Sequence, residues 1–449
     1  MITVKELKNG NESYFEIEIK TDNKTTVNKV YYRAIQKEKD GVTYMMLYNT
    51  NMVPVSNVFE FLNFTKSNQS INSKIKSLQA LKLLFSFQDI INKKIEDFTP
   101  SDVTSLKHFL KGYSPKGQVL SFEMISSRSN ETVNGYLSVY RQYLEFLGKN
   151  NEAITARSEK SALIILPDSE ADYKVDKFKS NEKVAKKPVE VPKYISVEEF
   201  QNIIKDIRAN YTKREEIIVR LMYQCGLRIG ECLGITADDL VMEKIEDAYY
   251  PILYIRNRLS DKPYQNAKTC MKITNKKQYR SKEYKTAGYG YQKVVLPIDL
   301  YDLINEYIEE EHSIAREKKE DNYYHSTIAD RVGTVDSDDD NYYVFINSLG
   351  RPISGISWNN IIRDIFNDCG ILVDKGVKEN NLNHRFRHGF AMFNVQYLNC
   401  KEIELKERMR HNSLQSVAFY FQPTTSDSIK LKSDFTKNLY DIIPELKGD

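Results

Sequence analysis

The hydrophobic period of the chain changes several times along its 449 residues, and the changes divide it. Early on, apolar positions alternate. In ESYFEIEIK, Phe15, Ile17 and Ile19 interleave with Glu16, Glu18 and Lys20, the period of a half-buried strand. VTYMMLYN is a second short apolar run, and Gly10–Asn11 offers a turn before the first. Residues 1–54 are therefore expected to be β-rich, as a small sheet module or as strands packed on the next domain. From 55 to 150 the period lengthens to that of helices. Ile71, Ile75, Leu78, Leu81 and Phe85 share one face, as do Val133, Leu137, Tyr140, Leu144 and Leu147. Thr99–Pro100–Ser101 is a helix-start signal between them.

Residues 151–193 lose any period and end in the lysine- and proline-rich KVDKFKSNEKVAKKPVEVPK, which predicts an interdomain linker. Its lysines suit either solvation or a strap across a phosphate backbone. Ser196 with Glu199 forms a capping-box pattern that opens a new domain, and Ile195 can staple onto Phe200. The apolar helix EEIIVRLMY comes next, then CGLRIGECLGI. YYPILYIRNR and KVVLPI read as strands. LYDLINEYIEEE reads as a helix leading into a polar insertion over 313–342. YYVFINSLGRPIS reads as strand, turn and cap, with Ser354 or Ser357 starting a helix that ends near Phe366. Helices are expected over 384–398 and 401–419. In the tail, 425–449, Ile429, Leu431, Phe435, Leu439 and Ile442 form an apolar stripe suited to its own domain or to a neighbouring subunit. The predicted organisation is multidomain, with a further domain of helices and short strands from 194 to 424.

Composition narrows the class. Apolar residues make up 41% and charged residues 28%, as in soluble globular proteins with more than one core. The net charge of +3 does not by itself indicate a nucleic-acid binder. Its distribution is more informative. Between the two predicted strands lie Arg256, Arg258, Lys262, Lys268, Lys272, Lys276, Lys277, Arg280, Lys282, Lys285 and Lys293, against only Asp261 and Glu283 in the same segment. This is the footprint of a DNA-facing hairpin, weighed against a merely solvated loop. The five cysteines, Cys225, Cys232, Cys270, Cys369 and Cys400, show no CxxC spacing, so neither a zinc site nor a disulfide framework is expected. A reducing, cytoplasmic setting is the natural expectation. No signal-like apolar core opens the chain, and no run approaches the roughly 20 apolar residues of a membrane span.

The chemistry concentrates near the C-terminus. His384, Arg387 and His388 lie within NHRFRHGFAM, at spacings that share a helix face. His411 and Tyr420 lie further on, nine residues apart. The spacing is not HExxH, no carboxylate joins the cluster, and an arginine at its centre repels a cation, so no metal or other cofactor is expected. Arginine and histidine together suit an anion, with phosphate foremost. Transfer of a phosphoryl group needs donors on the nonbridging oxygens, a nucleophile in line, and an acid for the leaving oxygen. Arg228 and Arg387 can supply forked donors, His384 and His411 further hydrogen bonds, Tyr420 the nucleophile, and a lysine of the basic hairpin the acid.

These residues, in this order, resemble the tyrosine recombinase and phage integrase family, particularly integrases and transposases of mobile elements. GLRIGECLGI resembles the first box, giving Arg228 and, three residues on, its acidic partner Glu231. HRFRHGFA resembles the HxxR box, giving His384 and Arg387, with His388 in support. RHNSLQSVAFYF resembles the last box, giving His411 and Tyr420. KTAGYGYQKVVLPI resembles the hairpin that carries the catalytic lysine, implying Lys285, with Lys276 as the alternative. The chain departs from the family pattern in three places. Arg410 stands where a glycine is usual, Gly389 where Thr or Ser is common, and the 313–342 insertion and hairpin loop are long.

The resemblance spans about 196–425 and reaches back to about 57, where ETVNGYLSVYRQYLEFL resembles the end of a helical, SAM-like core-binding domain. It implies a multidomain, mainly α fold whose α+β catalytic domain over 194–424 holds a small antiparallel sheet, and two domains clamped on duplex DNA, with Arg256, Arg258, Lys276, Lys277, Arg280, Lys282 and Lys293 as DNA contacts. It further implies a 3′-phosphotyrosyl intermediate, a Holliday junction between two duplexes, and a homotetramer on DNA whose C-terminal helix passes between subunits. Accessory DNA-bending or directionality factors are implied as partners, and a membrane is not. The alternatives are DNA relaxation of the type IB topoisomerase kind and a non-catalytic DNA-binding regulator.

Overall fold

The structure is a computed structural model. It describes residues 2–10, 12–21, 24–39, 42–113, 120–166, 169–185, 191–259, 265–273, 275–323, 342–348, 350–373 and 382–422, with Ser433, Thr436 and Lys437. Two compact units divide the chain, residues 1–187 and 188–449.

In the first unit, β1 (Ile2–Asn9), β2 (Glu12–Thr21) and β3 (Lys24–Val30) form an antiparallel meander, and β6 (Leu120–Glu123) joins β1 in parallel. β4 (Arg33–Lys39) and β5 (Val42–Tyr48) make a separate hairpin. The helices are α1 (Ser56–Glu60), α2 (Ile71–Ile91), α3 (Pro100–Lys111), α4 (Asn130–Phe146) and α5 (Glu152–Thr155). Thr99 and Asp102 close a capping box at α3. The register Val4↔Ile17 turns the alternating side chains of β1 and β2 onto the helices. There Val4, Phe15 and Ile17 share one core with Leu81, Phe87, Phe109 and Tyr140. Of the two expectations for residues 1–54, the structure has strands packed on the helices rather than a free-standing module. The whole is mixed α/β rather than mainly α.

The aperiodic stretch after 150 also differs from expectation. β7 (Arg157–Leu166) and β8 (Ser169–Phe178) pair as an antiparallel hairpin. The chain then returns to the helices. Glu182 bridges Lys107 at 2.8 Å and also pairs with Lys111, and its backbone N–H donates to Asn134 at 2.7 Å. A hairpin is held by backbone ladders and needs no burial period, so an aperiodic sequence over 157–178 hides paired strands, while the division between the two units, after Lys187, falls within the 151–193 stretch.

In the second unit, α6 (Val197–Asn210) starts at the Ser196–Glu199 capping box, and α7 (Lys213–Gln224) is buried over most of its length. The short α8 (Ile229–Cys232) leads to β9 (Leu240–Ile245), β10 (Ala248–Arg256) and β11 (Tyr291–Val295), an antiparallel sheet in the order β11-β10-β9. Then come α9 (Ile298–Tyr323), α10 (Gly355–Asp368), α11 (Leu382–Gln396) and α12 (Glu402–Arg408). Ser354 caps α10. The core joins Ile217 and Leu221 to Leu253, Leu300, Trp358 and Phe386. The helix expected over 401–419 is instead α12 followed by two 3-10 turns, Leu414–Ser416 and Ala418–Phe421. It breaks at Arg410, whose φ is +54°. The expected insertion begins as a continuation of α9; its residues 324–341 lie outside the described residues, as does nearly all of 425–449. Among the described residues, no helix is long and apolar enough to cross a membrane.

Candidate active site

The site is assembled where the end of α7, the start of α8, one face of α11 and the turns after α12 meet. Gly226 makes the turn out of α7 at φ +60°, and a Cβ there would come within 2.7 Å of the Phe390 ring. This turn delivers Arg228 to the N-cap of α8. Glu231, buried at 3% exposure, accepts from the Arg228 backbone N–H at 2.9 Å and from its Nη1 at 2.8 Å. Arg410 Nη2 reaches the same carboxylate at 3.0 Å, and Arg387 Nη1 stands 4.0 Å away. Burial alone would raise the Glu231 carboxyl; Arg410, Arg387 and Arg228 outweigh it and hold the group below its ordinary range.

Arg387 projects from α11 and is itself buried, its two terminal nitrogens donating to the carbonyls of Gly226 and Met409. Burial, then the neighbouring Arg228, lowers it to about 9, so it stays charged at neutral pH. Gly389 lets α11 approach its neighbours: a Cβ there would lie 2.5 Å from both the Ile195 carbonyl oxygen and the Tyr223 ring. The departure from Thr or Ser at this position thus has a steric reason.

His384 and His388 stand on the same face of α11, their rings 5.9 Å apart. Nδ1 of His388 is 2.6 Å from the hydroxyl of Tyr420. Tyr420 is 2% exposed and seated among Ala391, Met392, Met409 and Val417. Burial raises its phenol above the usual range, while Arg387 and Arg228 pull the other way. The three histidines are pushed down, to about 4 for His384, about 3 for His388 and about 4 for His411. Burial is the first cause in each, followed by Arg387 and Arg228 for His384 and His411, and by His384 and Arg387 for His388. All three are neutral at pH 7. Nδ1 of His384, Nδ1 of His411 and Nε of Arg410 are buried with no hydrogen-bond partner among the described residues.

The structure therefore brings together Arg228, Glu231, His384, Arg387, His388, His411 and Tyr420. The lysine is different. Lys285 is exposed on the turn after the 3-10 segment Lys276–Arg280, and the side chain of Lys276 lies outside the described residues. Lys268, another lysine of the basic segment, is exposed as well, but the backbone of its turn is held in place. Lys268 rides on a turn clamped by the buried Asn257, whose Nδ2 donates to the carbonyls of Ala267, Cys270 and Met271 at 3.0 Å each. Asn257 Oδ1 accepts from Ala267 N at 2.8 Å. The carbonyl oxygen of Gln265, in the same turn, lies 3.1 Å from where a Cβ on Gly234 would be, just beyond α8. The charge of Lys268 is also among those that depress His384. The dipeptide Lys-Thr occurs at both 268 and 285, and that repetition is the signal that could have raised Lys268.

The basic hairpin is also less unopposed than its local sequence implies. Asp239 takes Arg256 at 2.6 Å and Arg258 at 2.7 Å, and Glu243 takes Lys293 at 2.7 Å. Both carboxylates come from the β9 region, outside the basic segment itself. Lys277, Arg280 and Lys282 are exposed.

No protein-family model matches the chain. Over 216 residues it is 25% identical to transposase A from transposon Tn554 of Staphylococcus aureus, covering 46% of this chain and 58% of the transposase. The chain thus spans little more than half the length of that relative. Among solved structures, it is similar to the Tn1549 transposon integrase in complex with transposon right end DNA, at 15% identity and a TM-score of 0.47, covering 85% of this chain and 98% of that one. It is also similar to the XerH site-specific recombinase bound to a palindromic difH substrate, at 14% identity and a TM-score of 0.45, covering 82% and 80%. The family resemblance is carried by the motifs GLRIGECLGI, HRFRHGFA and RHNSLQSVAFYF themselves.

Proposed function

We propose that this protein is a tyrosine-type DNA strand-exchange enzyme of a mobile element. The observation that carries the reading is the Tyr420 hydroxyl at 2.6 Å from a neutral imidazole, in a pocket that also holds Arg228 and Arg387. The Tyr420 oxygen attacks a backbone phosphorus and gives up its proton, with His388 as the acceptor in the tautomer that leaves Nδ1 unprotonated. Arg228 and Arg387, with hydrogen bonds from His384 and His411, hold the nonbridging oxygens as negative charge develops on them. The bond from phosphorus to the 5′ oxygen breaks, and that oxygen takes a proton from a lysine. Lys268, on its clamped turn and close enough for its charge to act on His384, is the favoured donor, with Lys285 and Lys276 as the alternatives. The products are a 3′-phosphotyrosyl bond and a 5′-hydroxyl. The hydroxyl of a second duplex reverses the step, so the energy of the phosphodiester is conserved in the protein–DNA bond. Two duplexes, a Holliday junction and a tetramer complete the proposal, and the similarity to a transposase over part of the chain supports the mobile-element setting.

The test is to incubate the full chain with a randomised duplex library, recover denaturant-stable adducts and sequence the attached DNA. Wild type is expected to yield a defined site, and Tyr420→Phe to bind that site without forming an adduct. An adduct with Tyr420→Phe overturns the assignment. Relaxation of supercoiled plasmid without strand exchange would favour a topoisomerase, and binding without any adduct a regulator.

A further inference from the structure

Arg410 sits at a position where the backbone asks for glycine. It comes directly after Met409, the C-cap of α12, with φ at +54°. Its N–H donates to Glu407 O and the next N–H, of His411, reaches back to Lys406 O, both at 2.9 Å. These are the return bonds of a left-handed helix terminus, which disfavours a side chain with a Cβ. An arginine there is costly unless its side chain makes up the difference.

The side chain is 9% exposed and fully engaged at its tip. Nη1 donates to Cys225 O at 3.2 Å; Nη2 reaches Gly226 O at 3.2 Å and Glu231 Oε2 at 3.0 Å. Arg410 thus ties the segment that leads into His411 and Tyr420 to the turn that presents Arg228, and to the carboxylate that holds Arg228. Charge gives the link a second meaning. Arg228, Arg387 and Arg410 face the single carboxylate Glu231, leaving two positive charges over. A phosphodiester carries one negative charge, and the five-coordinate state reached on attack concentrates two on its nonbridging oxygens. Without Arg410 only one positive charge is left over, and Glu231 competes with the phosphate for Arg228 and Arg387.

We propose that Arg410 is a positioning residue that offsets the charge of Glu231, so that Arg228, held through Nη1 by the other carboxylate oxygen, and Arg387 together present uncompensated positive charge to the scissile phosphate. The inference rests on the strand-exchange reading of the site. It predicts that the residue acts through charge as well as through packing.

Arg410→Gly suits the left-handed backbone and should fold, which a thermal melt verifies. On the duplex recovered with wild type, single-turnover adduct formation by Arg410→Gly should slow on the order of 10- to 100-fold, the scale of groups that orient others at a site. Two readouts separate charge from structure. A methylphosphonate at the scissile position lacks one anionic oxygen, and with it the gap between variant and wild type should close to within a few-fold. Adding Glu231→Gln to Arg410→Gly should recover part of the loss, although Glu231→Gln alone slows wild type. An unchanged rate for Arg410→Gly overturns the proposal. So does an equal loss on both substrates with no recovery from Glu231→Gln, which would make Arg410 a structural strut only. Absence of any adduct with wild type fails the strand-exchange reading itself, and the inference falls with it.

Discussion

The hydroxyl of Tyr420 is hydrogen-bonded to His388, 2.6 Å from its Nδ1, whereas Nδ1 of His411 has no partner among the described residues. His388 therefore takes the place beside the nucleophile. His388→Ala should retain DNA binding and slow adduct formation by on the order of 10²-fold, the range for a proton-transfer partner. Single-turnover assays on the recovered duplex check this. A loss confined to binding would remove His388 from the chemistry.

The same histidines set a pH dependence of stability. Each is depressed in the folded state, to between about 3 and about 4, against about 6.5 in an unfolded chain. Between those values the unfolded state binds more protons than the folded one, so stability is full above pH 6.5 and falls as pH drops toward 4. Urea titrations at pH 7, 6 and 5 should show this decline, with a shallower slope for His388→Ala. A stability flat over that range would contradict the burial of the three rings.

Sequence distance governs how much of the fold and site was legible. His384, Arg387 and His388 lie on one turn of a helix, so their shared face can be read from spacing alone, as can the capping box at Ser196. The bond between His388 and Tyr420 joins positions 32 apart, and no local period reveals it. Arg256 finds its carboxylate 17 residues upstream on Asp239, which is why the charges within the hairpin alone overstate its free cations. The hairpin over 157–178 escapes sequence reading for a related reason: strand pairing satisfies backbone groups and leaves no burial period in the side chains. The left-handed Arg410 is visible as a departure from a glycine, but its partners Cys225 and Glu231, some 180 positions away, are not.

Gly389 offers a purely steric prediction. Any Cβ there meets the Ile195 carbonyl and the Tyr223 ring at 2.5 Å, and Ile195 N is also bonded to Arg385 O at 3.0 Å, so the segment cannot easily withdraw. Gly389→Ser should destabilise the second unit by about 1–3 kcal/mol, the usual cost of overpacking. Denaturant unfolding measures it, and a neutral result would mean that α11 shifts without penalty.

The exposed cations of the hairpin should behave differently from the paired ones. Replacing Lys277, Arg280 or Lys282 with alanine leaves no buried carboxylate behind. If these residues contact phosphates, each change should lower the salt dependence of DNA binding by about one unit of slope. Arg256→Ala instead strips a partner from the buried Asp239 and should lower thermal stability. Binding titrations over a range of salt, with melts alongside, distinguish the two groups; equal salt slopes for wild type and Arg280→Ala would remove that residue from the DNA contacts.

The lysine decides how the leaving oxygen is protonated. Lys268→Ala should slow cleavage of an ordinary phosphodiester by on the order of 10²- to 10⁴-fold, the contribution of a positioned acid. A 5′-bridging phosphorothiolate has a leaving sulfur that departs without a proton, so on that substrate the variant should approach wild type. Lys285→Ala should show no such pattern: both lysines are exposed, but the backbone on either side of Lys268 is tied down by Asn257. The clamp supplies a second check: Asn257→Ala loosens the turn without removing the ammonium, so it should lower the phosphodiester rate and spare the phosphorothiolate rate, as Lys268→Ala does. Sulfur rescue in Lys285→Ala, with none in Lys268→Ala, would return the role to Lys285.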